Sequence, residues 1–246
     1  MWCGAGQAAG VGTAFAVPGG AGIEHGIVQV VCATDAPRID IFSTGAVLDL
    51  GSSATRDVIL TTAHGLPVAA ESIVTRCSVL GPRRRAYAID AVWRSAEKYS
   101  GPSTDWAVLL TAKRVRGDVG RLPAGQIHGS ALIQLVAAEA PVRLLLRSAL
   151  ADPRDCHLVG GADAAYDAAF GVVYHSCRSR PGVSGSPIVM SVDDRPVVVA
   201  IHIGRQMWLL GRRGGASVGK SLDGEVAAAI AKAALRAKPA SRPRRP

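Results

Sequence analysis

The chain has 246 residues, of which 48% are hydrophobic and 19% are charged, so it can bury a core and is not disordered as a whole. No run of 18 or more apolar residues occurs, which argues against a membrane-spanning helix. The 28 glycines and the short apolar runs favour many turns between short strands. The net charge of +9 predicts attraction to acidic partners, whether peptides, membrane surfaces or nucleic acid.

Residues 1–22 are small and mostly apolar, and they precede the first predicted strand. Ala14-Phe15-Ala16 has the small-x-small form of a signal-peptidase site, yet no Lys or Arg lies before it. Two interpretations therefore stay open for this segment, a flexible leader and a degenerate export signal. We expect the protein to be secreted or periplasmic.

A first group of predicted strands lies between about residues 26 and 111. Its members are short, β-branched or apolar, and separated by Gly, Pro, Asp or Ser. They are Gly26–Ala33, Ile39–Phe42, Gly45–Leu50, Val58–Ala63, Arg85–Trp93 and Trp106–Thr111. Residues 112–124 are charged and contain glycine, which predicts a linker.

A second group of predicted strands follows the linker, and a helix ends the ordered part of the chain. The predicted strands are Ala131–Ala137, Val142–Arg147, Phe170–His175, Pro187–Ser191 and Pro196–Gly204. The alanine-rich segment Glu225–Ala237 predicts a helix with Asp223 as its cap. The expected organisation is a leader at 1–24, a first β domain at 25–116, a second with the helix at 117–236, and a tail at 237–246. The tail is basic and proline-rich, so a solvated, disordered end competes with a nucleic-acid or membrane contact.

Three residues, in the chain order His, Asp, Ser, can supply a base, an orienting acid and a nucleophile. His64 follows a predicted strand, Asp105 directly precedes a buried-looking apolar run, and Ser184 lies in a glycine-rich turn. Gly182 and Gly185 permit a tight turn that brings backbone N–H groups close to a ligand. The alternatives are a structural histidine, an aspartate that caps a strand and an ordinary loop serine. Four other acids compete for the orienting role, but none of them directly precedes such a run: Asp57, Asp90, Glu97 and Asp118.

The residues around these positions form three short strings. They are Thr61-Thr62-Ala63-His64, Asp105-Trp106-Ala107-Val108-Leu109-Leu110 and Pro181-Gly182-Val183-Ser184-Gly185-Ser186-Pro187. They resemble the signatures T-A-A-H, D-I-A-L and G-D-S-G-G-P of chymotrypsin-like (trypsin-fold) serine proteases. The chain order matches too, whereas unrelated hydrolase folds place the same three residue types in other orders.

The resemblance extends over roughly residues 25–236 and implies an all-β fold, two six-stranded antiparallel β-barrels followed by a C-terminal α-helix. It implies a serine endopeptidase that works through an acyl-enzyme, with His64, Asp105 and Ser184 as the catalytic triad. The N–H groups of Gly182 and Ser184 would form the oxyanion hole. Protein or peptide substrates follow from this hypothesis, and neither a metal nor an organic cofactor is expected.

Two positions depart from the animal enzymes of this family. Val183 stands where those enzymes have an acid that pairs with a new N-terminus after cleavage, so activation through that ion pair is not expected. The oxyanion turn must then be held in another way. Gly65 follows His64, so the cysteine bridge that brackets the catalytic histidine in animal enzymes has no counterpart.

The string Val198-Val199-Ala200-Ile201-His202-Ile203-Gly204 is similar to the G-I-H-W-G string of bacterial glutamyl endopeptidases, although Ile203 replaces the usual Trp. The similarity implies that His202 and Ser179 bind an acidic side chain before the cut. Arginines nearby would favour a carboxylate through charge-assisted hydrogen bonds. The alternative is that His202 only lines a strand and that the arginines are solvated. These arginines are Arg178, Arg180 and Arg205.

The five cysteines are an odd number, so at least one is unpaired within a monomer. None has the C-x-x-C spacing of a zinc site. The family resemblance favours a disulfide between Cys156 and Cys177, which would close a loop of about 20 residues and contribute about 3 kcal/mol. The partners of Cys3, Cys32 and Cys77 stay open.

Two other functions compete with the protease. One is a trypsin-fold protein that binds ligands without catalysis. The other is a basic nucleic-acid-binding protein, but 3 Phe, 4 Tyr and 4 Trp offer few stacking surfaces, and no specific nucleic-acid partner is expected. The α/β-hydrolase nucleophile elbow does not fit, because Pro187 and a predicted strand follow Ser184 where that fold needs a helix. The oligomeric state stays open.

Overall fold

The computed structural model describes residues 26–33, 40–95, 101–116, 119–127, 129–146, 156–160, 162–193, 195–205 and 216–238. The strands in these ranges are β1 (Ile27–Ala33), β2 (Asp40–Val47), β3 (Val58–Thr61), β4 (Cys77–Leu80), β5 (Ala86–Arg94), β6 (Ala107–Thr111), β7 (Pro141–Leu144), β8 (Cys156–His157), β9 (Val172–His175), β10 (Pro187–Val192), β11 (Arg195–Arg205) and β12 (Ser217–Ser221). The helices are α1 (Ala70–Arg76), α2 (Gly129–Ala137), α3 (Ala162–Ala169) and α4 (Gly224–Ala237). The predicted leader and the tail beyond residue 238 lie outside the described residues.

The first six strands form a closed antiparallel barrel in the order β1-β2-β3-β6-β5-β4. Strands β3 and β6 are buried along their whole length, because their two faces pack into different cores. Ile59 and Leu109 point into the barrel interior, whereas Leu60 and Val108 join a core shared with the second sheet and with α4. This shared core holds the two halves of the molecule together.

The second sheet has six antiparallel strands in the order β8-β7-β10-β11-β12-β9. It is curled into a half-barrel, and an isolated bridge from Leu158 to His175 connects the chain after β8 with β9. With the C-terminal helix α4 beside them, these two sheets confirm the predicted fold class of two six-stranded antiparallel barrels and a terminal helix.

The segment Ala131–Ala137 was predicted as a strand, and this prediction is wrong, because the segment lies in helix α2. Leu132 and Val136, four residues apart, are both buried in the core of the second sheet. This spacing puts them on one face of a helix, whereas on a strand the alternation of side chains with period 2 would bury every second residue. Ala, Leu and Gln are also good helix formers.

The predicted strands Ile39–Phe42 and Gly45–Leu50 both overlap one continuous strand, β2, which covers Asp40–Val47. Ser43 and Thr44, which suggested a break, lie inside it with buried side chains. Their hydroxyls find hydrogen-bond partners across the molecule, so burial of these polar groups is compensated. The elements α1, β4, β8, α3 and β12 had no counterpart among the predicted ones.

Helix α4 packs closely against the first barrel because its buried face carries small side chains. Val226 is followed on that face by Ala229, Ala233 and Ala237, all buried in the shared core. The Asp223 side chain accepts a hydrogen bond from the N–H of Val226, which caps the first turn as predicted.

The linker between the two sheets is fixed by a buried carboxylate. Asp57 accepts hydrogen bonds at 3.0 and 3.1 Å from the guanidinium of Arg121, and at 2.6 Å from the N–H of Val115. Isolated bridges then join Leu122 to Leu48 in the first half and Ala124 to Val198 in the second. The linker therefore lies along both sheets.

Two disulfides lie in the described part of the chain. Cys32 of β1 is bonded to Cys77, which is its directly opposite residue in β4. Cys156 is bonded to Cys177, shortly before the serine turn. The remaining cysteine, Cys3, lies outside the described residues.

Candidate active site

Asp105 and the residues around His64 come together because β3 and β6 are neighbours in the first barrel. Thr61 at the end of β3 pairs with Ala107 at the start of β6, so the loops beyond both strand ends adjoin. The Asp105 carboxylate is fully buried, and its Oδ2 lies 2.7 Å from Nδ1 of His64. Its Oδ1 accepts hydrogen bonds from the N–H groups of Ala63 and His64 at 2.8 and 2.9 Å. The carboxylate therefore holds both the backbone and the ring of the histidine.

The pKa of His64 is raised above its ordinary value of 6.5. The hydrogen bond to Asp105 is the main cause, and it outweighs the lowering effect of burial, while the negative charge of Asp105 raises the pKa further. The His64 side chain is 36% exposed. With Nδ1 bonded to Asp105, Nε2 is the ring nitrogen through which His64 can exchange a proton with a neighbouring group.

Ser184 lies in a turn in which two positions have a backbone conformation that favours glycine. Gly182 and Gly185 have φ values of 86° and 87°, in the left-handed region. A Cβ atom on Gly185 would also lie 1.9 Å from the carbonyl oxygen of Thr44. The Ser184 hydroxyl donates to the carbonyl of Ile203 at 2.9 Å.

The backbone of this turn presents two N–H groups that have no acceptor among the described residues. Neither Gly182 nor Ser184 donates its N–H to another described residue, whereas Gly185 donates to the carbonyl of His202 at 2.7 Å. Two unpaired N–H groups in one tight turn can together bind a negatively charged oxygen. Val183, between them, is buried.

Strand β2 contacts both the serine turn and the segment that precedes His64. The Ser43 hydroxyl donates to the carbonyl of Ser184 at 3.1 Å and lies 3.3 Å from the hydroxyl of Thr62, two residues before His64. His64 is also close enough to His202 for its charge to affect the pKa of that residue. The three sequence motifs therefore meet where the two sheets face each other.

His202 belongs to a chain of three polar side chains. Its Nε2 lies 2.9 Å from the hydroxyl of Ser179, and its Nδ1 lies 3.0 Å from Nε2 of His175. Burial, assisted by the charge of His64, lowers the pKa of His202 to about 4. Burial and the neighbouring His202 hold the pKa of His175 well below its ordinary value. Both imidazoles are therefore neutral near pH 7.

No pattern in the sequence selected His175. It ends β9, and only the missed strand β12, which pairs with both β9 and β11, brings it beside His202. No local sequence pattern shows that a histidine at the end of β9 will contact a histidine of β11 across the strand that lies between them. Its recognition needs the strand order.

Two of the four competing acids have other partners among the described residues. Asp57 is bonded to Arg121 of the linker, and Asp90 forms an exposed ion pair with Arg56 at 2.6 Å. Glu97 and Asp118 lie outside the described residues. The side chains of the three arginines expected near the pocket are exposed: Arg178, Arg180 and Arg205.

Comparison with protein-family models and with curated proteins found no match. The described helices include none with the length and apolar character needed to cross a membrane. No group of three or more His, Cys, Asp or Glu side chains in the described ranges is placed to hold a metal ion.

Proposed function

We propose that this chain is a serine endopeptidase that cleaves peptide bonds through an acyl-enzyme, with His64, Asp105 and Ser184 as its triad. The observation that carries the proposal is the 2.7 Å contact between His64 and the fully buried Asp105 carboxylate. A buried acid that fixes one ring nitrogen of a partly exposed histidine is the arrangement by which a hydroxyl nucleophile is activated.

In the first step, the Ser184 hydroxyl rotates from the Ile203 carbonyl toward Nε2 of His64. Its oxygen attacks the carbonyl carbon of the substrate while His64 takes the proton. Asp105 stabilises the imidazolium that forms. The negative charge that develops on the substrate oxygen is bound by the N–H groups of Gly182 and Ser184.

In the second step, His64 returns the proton to the leaving amine, and the C–N bond breaks to leave an ester on Ser184. A water molecule then gives a proton to His64 and attacks the ester carbon. The second tetrahedral intermediate collapses, the carboxylic acid leaves, and Ser184 regains its proton from His64. No metal or organic cofactor takes part in these steps.

We propose further that the enzyme prefers Glu or Asp before the cut, and that His202 and Ser179 bind this side chain. Nδ1 of His175 has no hydrogen-bond partner among the described residues. A buried N–H without an acceptor is rarer in proteins than an unsatisfied acceptor, so the His175 proton belongs on Nε2, donating to Nδ1 of His202. His202 then has its own proton on Nε2, directed toward Ser179 and suited to a carboxylate.

The substrates in this proposal are proteins or peptides, with acidic ones favoured also by the net charge of +9. The two disulfides in the described chain support a secreted or periplasmic location, because thiols are kept reduced in the cytosol.

The test combines an active-site label with a peptide library. A fluorophosphonate should label the wild-type protein, and Ser184→Ala should abolish both labelling and cleavage. Cuts after Glu or Asp that shift to other residues in His202→Gln would support the acidic pocket. Cuts after other residues in the wild type would refute the pocket and keep the triad. A folded wild-type protein that takes no label would refute the protease and favour a catalytically silent binding module.

A further inference from the structure

The serine turn of the second sheet is bonded to one edge of β2 in the first barrel. Strand β3 pairs with β2 only at Ala46 and Val47, so the edge of β2 at Thr44 is open to another partner. The N–H of Thr44 donates to the carbonyl of Ser184 at 2.7 Å. The turn thus occupies the place that a neighbouring strand would take.

The side chain of Thr44 adds a second contact to the same turn. Its hydroxyl donates to the carbonyl of Gly182 at 2.9 Å, and Thr44 is buried. The backbone of Thr44 is itself fixed, because the hydroxyl of Thr61 donates to its carbonyl at 2.6 Å. The Thr44 hydroxyl is therefore presented by a rigid strand whose position is set within the first barrel.

These two bonds hold the peptide groups on both sides of the Ser184 N–H. The bond to the Gly182 carbonyl fixes the peptide between residues 182 and 183, and the bond to the Ser184 carbonyl fixes the peptide between 184 and 185. The Ser184 N–H belongs to the peptide between them. Fixing the Gly182 carbonyl also restrains a glycine whose backbone is otherwise permissive, and whose N–H is the other proposed donor.

We propose that the hydroxyl of Thr44 is a positioning group that holds the turn with both oxyanion donors directed at the substrate. This inference rests on the proposed function. Val183 leaves the turn without the acid that could form an ion pair there, and its side chain is buried. The hydrogen bond from Thr44 supplies a restraint from the opposite barrel.

The experiment compares Thr44→Val, which replaces the hydroxyl by a methyl group of similar shape, with Thr44→Ser, which keeps the hydroxyl. Thr55→Val is the matched control, because the Thr55 hydroxyl also donates to a carbonyl of a distant element, that of Ala237, at 3.1 Å. The readouts are the rate of fluorophosphonate labelling, kcat and KM on a fluorogenic peptide that the wild type cleaves, and the urea midpoint of unfolding.

We expect Thr44→Val to lower kcat and the labelling rate by roughly tenfold to a hundredfold, with KM changed by less than about threefold. Thr44→Ser should restore both rates to within about threefold of the wild type, and Thr55→Val should leave them unchanged. Thr44→Val with wild-type kcat, or a loss that Thr44→Ser does not restore, would overturn the inference while the proposed function stands. If Thr44→Val fails to fold, Thr44→Ala replaces it, and failure of both would assign the hydroxyl to folding instead. A wild-type protein without label would overturn both.

Discussion

Acidification from about pH 7.5 to about pH 5 should destabilise the protein, because His202 and His175 are buried as neutral imidazoles. The folded-state pKa of His202 is lowered from 6.5 to about 4, chiefly by burial and further by the charge of His64. A lowered folded-state pKa means that the stabilisation is complete above the unfolded value of 6.5. It is lost progressively as the pH falls toward 4.

The size of the effect follows from proton uptake by the two states. At about pH 5 an unfolded histidine is almost fully protonated, whereas His202 in the folded protein has taken up almost no proton. Each pH unit below 6.5 then costs about 1.4 kcal/mol, so His202 alone lowers the free energy of unfolding by about 2 kcal/mol in this range. His175 acts in the same direction. The raised pKa of His64 acts in the opposite one, since protonation of His64 favours the folded state.

Urea unfolding at both pH values, for the wild type and for His202→Gln, isolates this contribution. Glutamine does not titrate and can still form hydrogen bonds with Ser179 and His175. The loss of stability on acidification should therefore be about 2 kcal/mol smaller in the variant, whatever its absolute stability. The same substitution at the exposed His157 is the control and should keep the wild-type difference. An equal loss in the wild type and His202→Gln would refute the argument, because it would mean that the folded protein accommodates a proton on His202.

Three further predictions concern the acid, the turn and the first disulfide. Wild-type kcat/KM should rise with pH as His64 loses its proton, with a pKa above 6.5. Asp105→Asn should shift this rise to lower pH and slow fluorophosphonate labelling by roughly 10⁴-fold. Gly185→Ala should abolish labelling, because its Cβ would meet the backbone of the first barrel at 1.9 Å, while a normal labelling rate would show that the turn can move. Replacing Cys32 and Cys77 together by serine should lower the free energy of unfolding in urea by roughly 4 kcal/mol, and a loss below about 1 kcal/mol would contradict this.

The sequence predicted the parts of the fold whose pattern is local. Apolar runs such as Trp106–Thr111 and the alanine-rich final helix are visible without any knowledge of their partners. The prediction failed where a residue's role depends on another element. The prediction placed Ser43 and Thr44 between two strands, because hydroxyl side chains are common in connections between strands when no distant partner is known. Helix α2 was mistaken for a strand because a short apolar run fits both structures until its buried face is known.

The candidate site shows the same division. The residues His64, Asp105 and Ser184 lie in recognisable strings, so the sequence alone selected them. His175 and Thr44 lie in no such string, and their positions follow from strand order and from the docking of one sheet on the other. Groups that position a site act through tertiary contacts, which leave little local trace in the sequence.

The His64–Asp105 pair and the serine turn depend to different degrees on the contact between the two sheets. His64 and Asp105 are both held by neighbouring strands of the closed barrel, so their 2.7 Å contact does not require the second sheet. The serine turn exchanges two backbone hydrogen bonds with His202 of its own sheet, one through the Gly185 N–H and one through the Ser186 carbonyl, and it makes three contacts with β2 of the first barrel. A small shift of one sheet against the other would therefore disturb the oxyanion donors before it disturbed the base and its acid. In the proposed mechanism, the apolar core shared by Leu60, Val108 and helix α4 therefore acts on the chemistry as well as on stability, because it sets the distance between Thr44 and the serine turn.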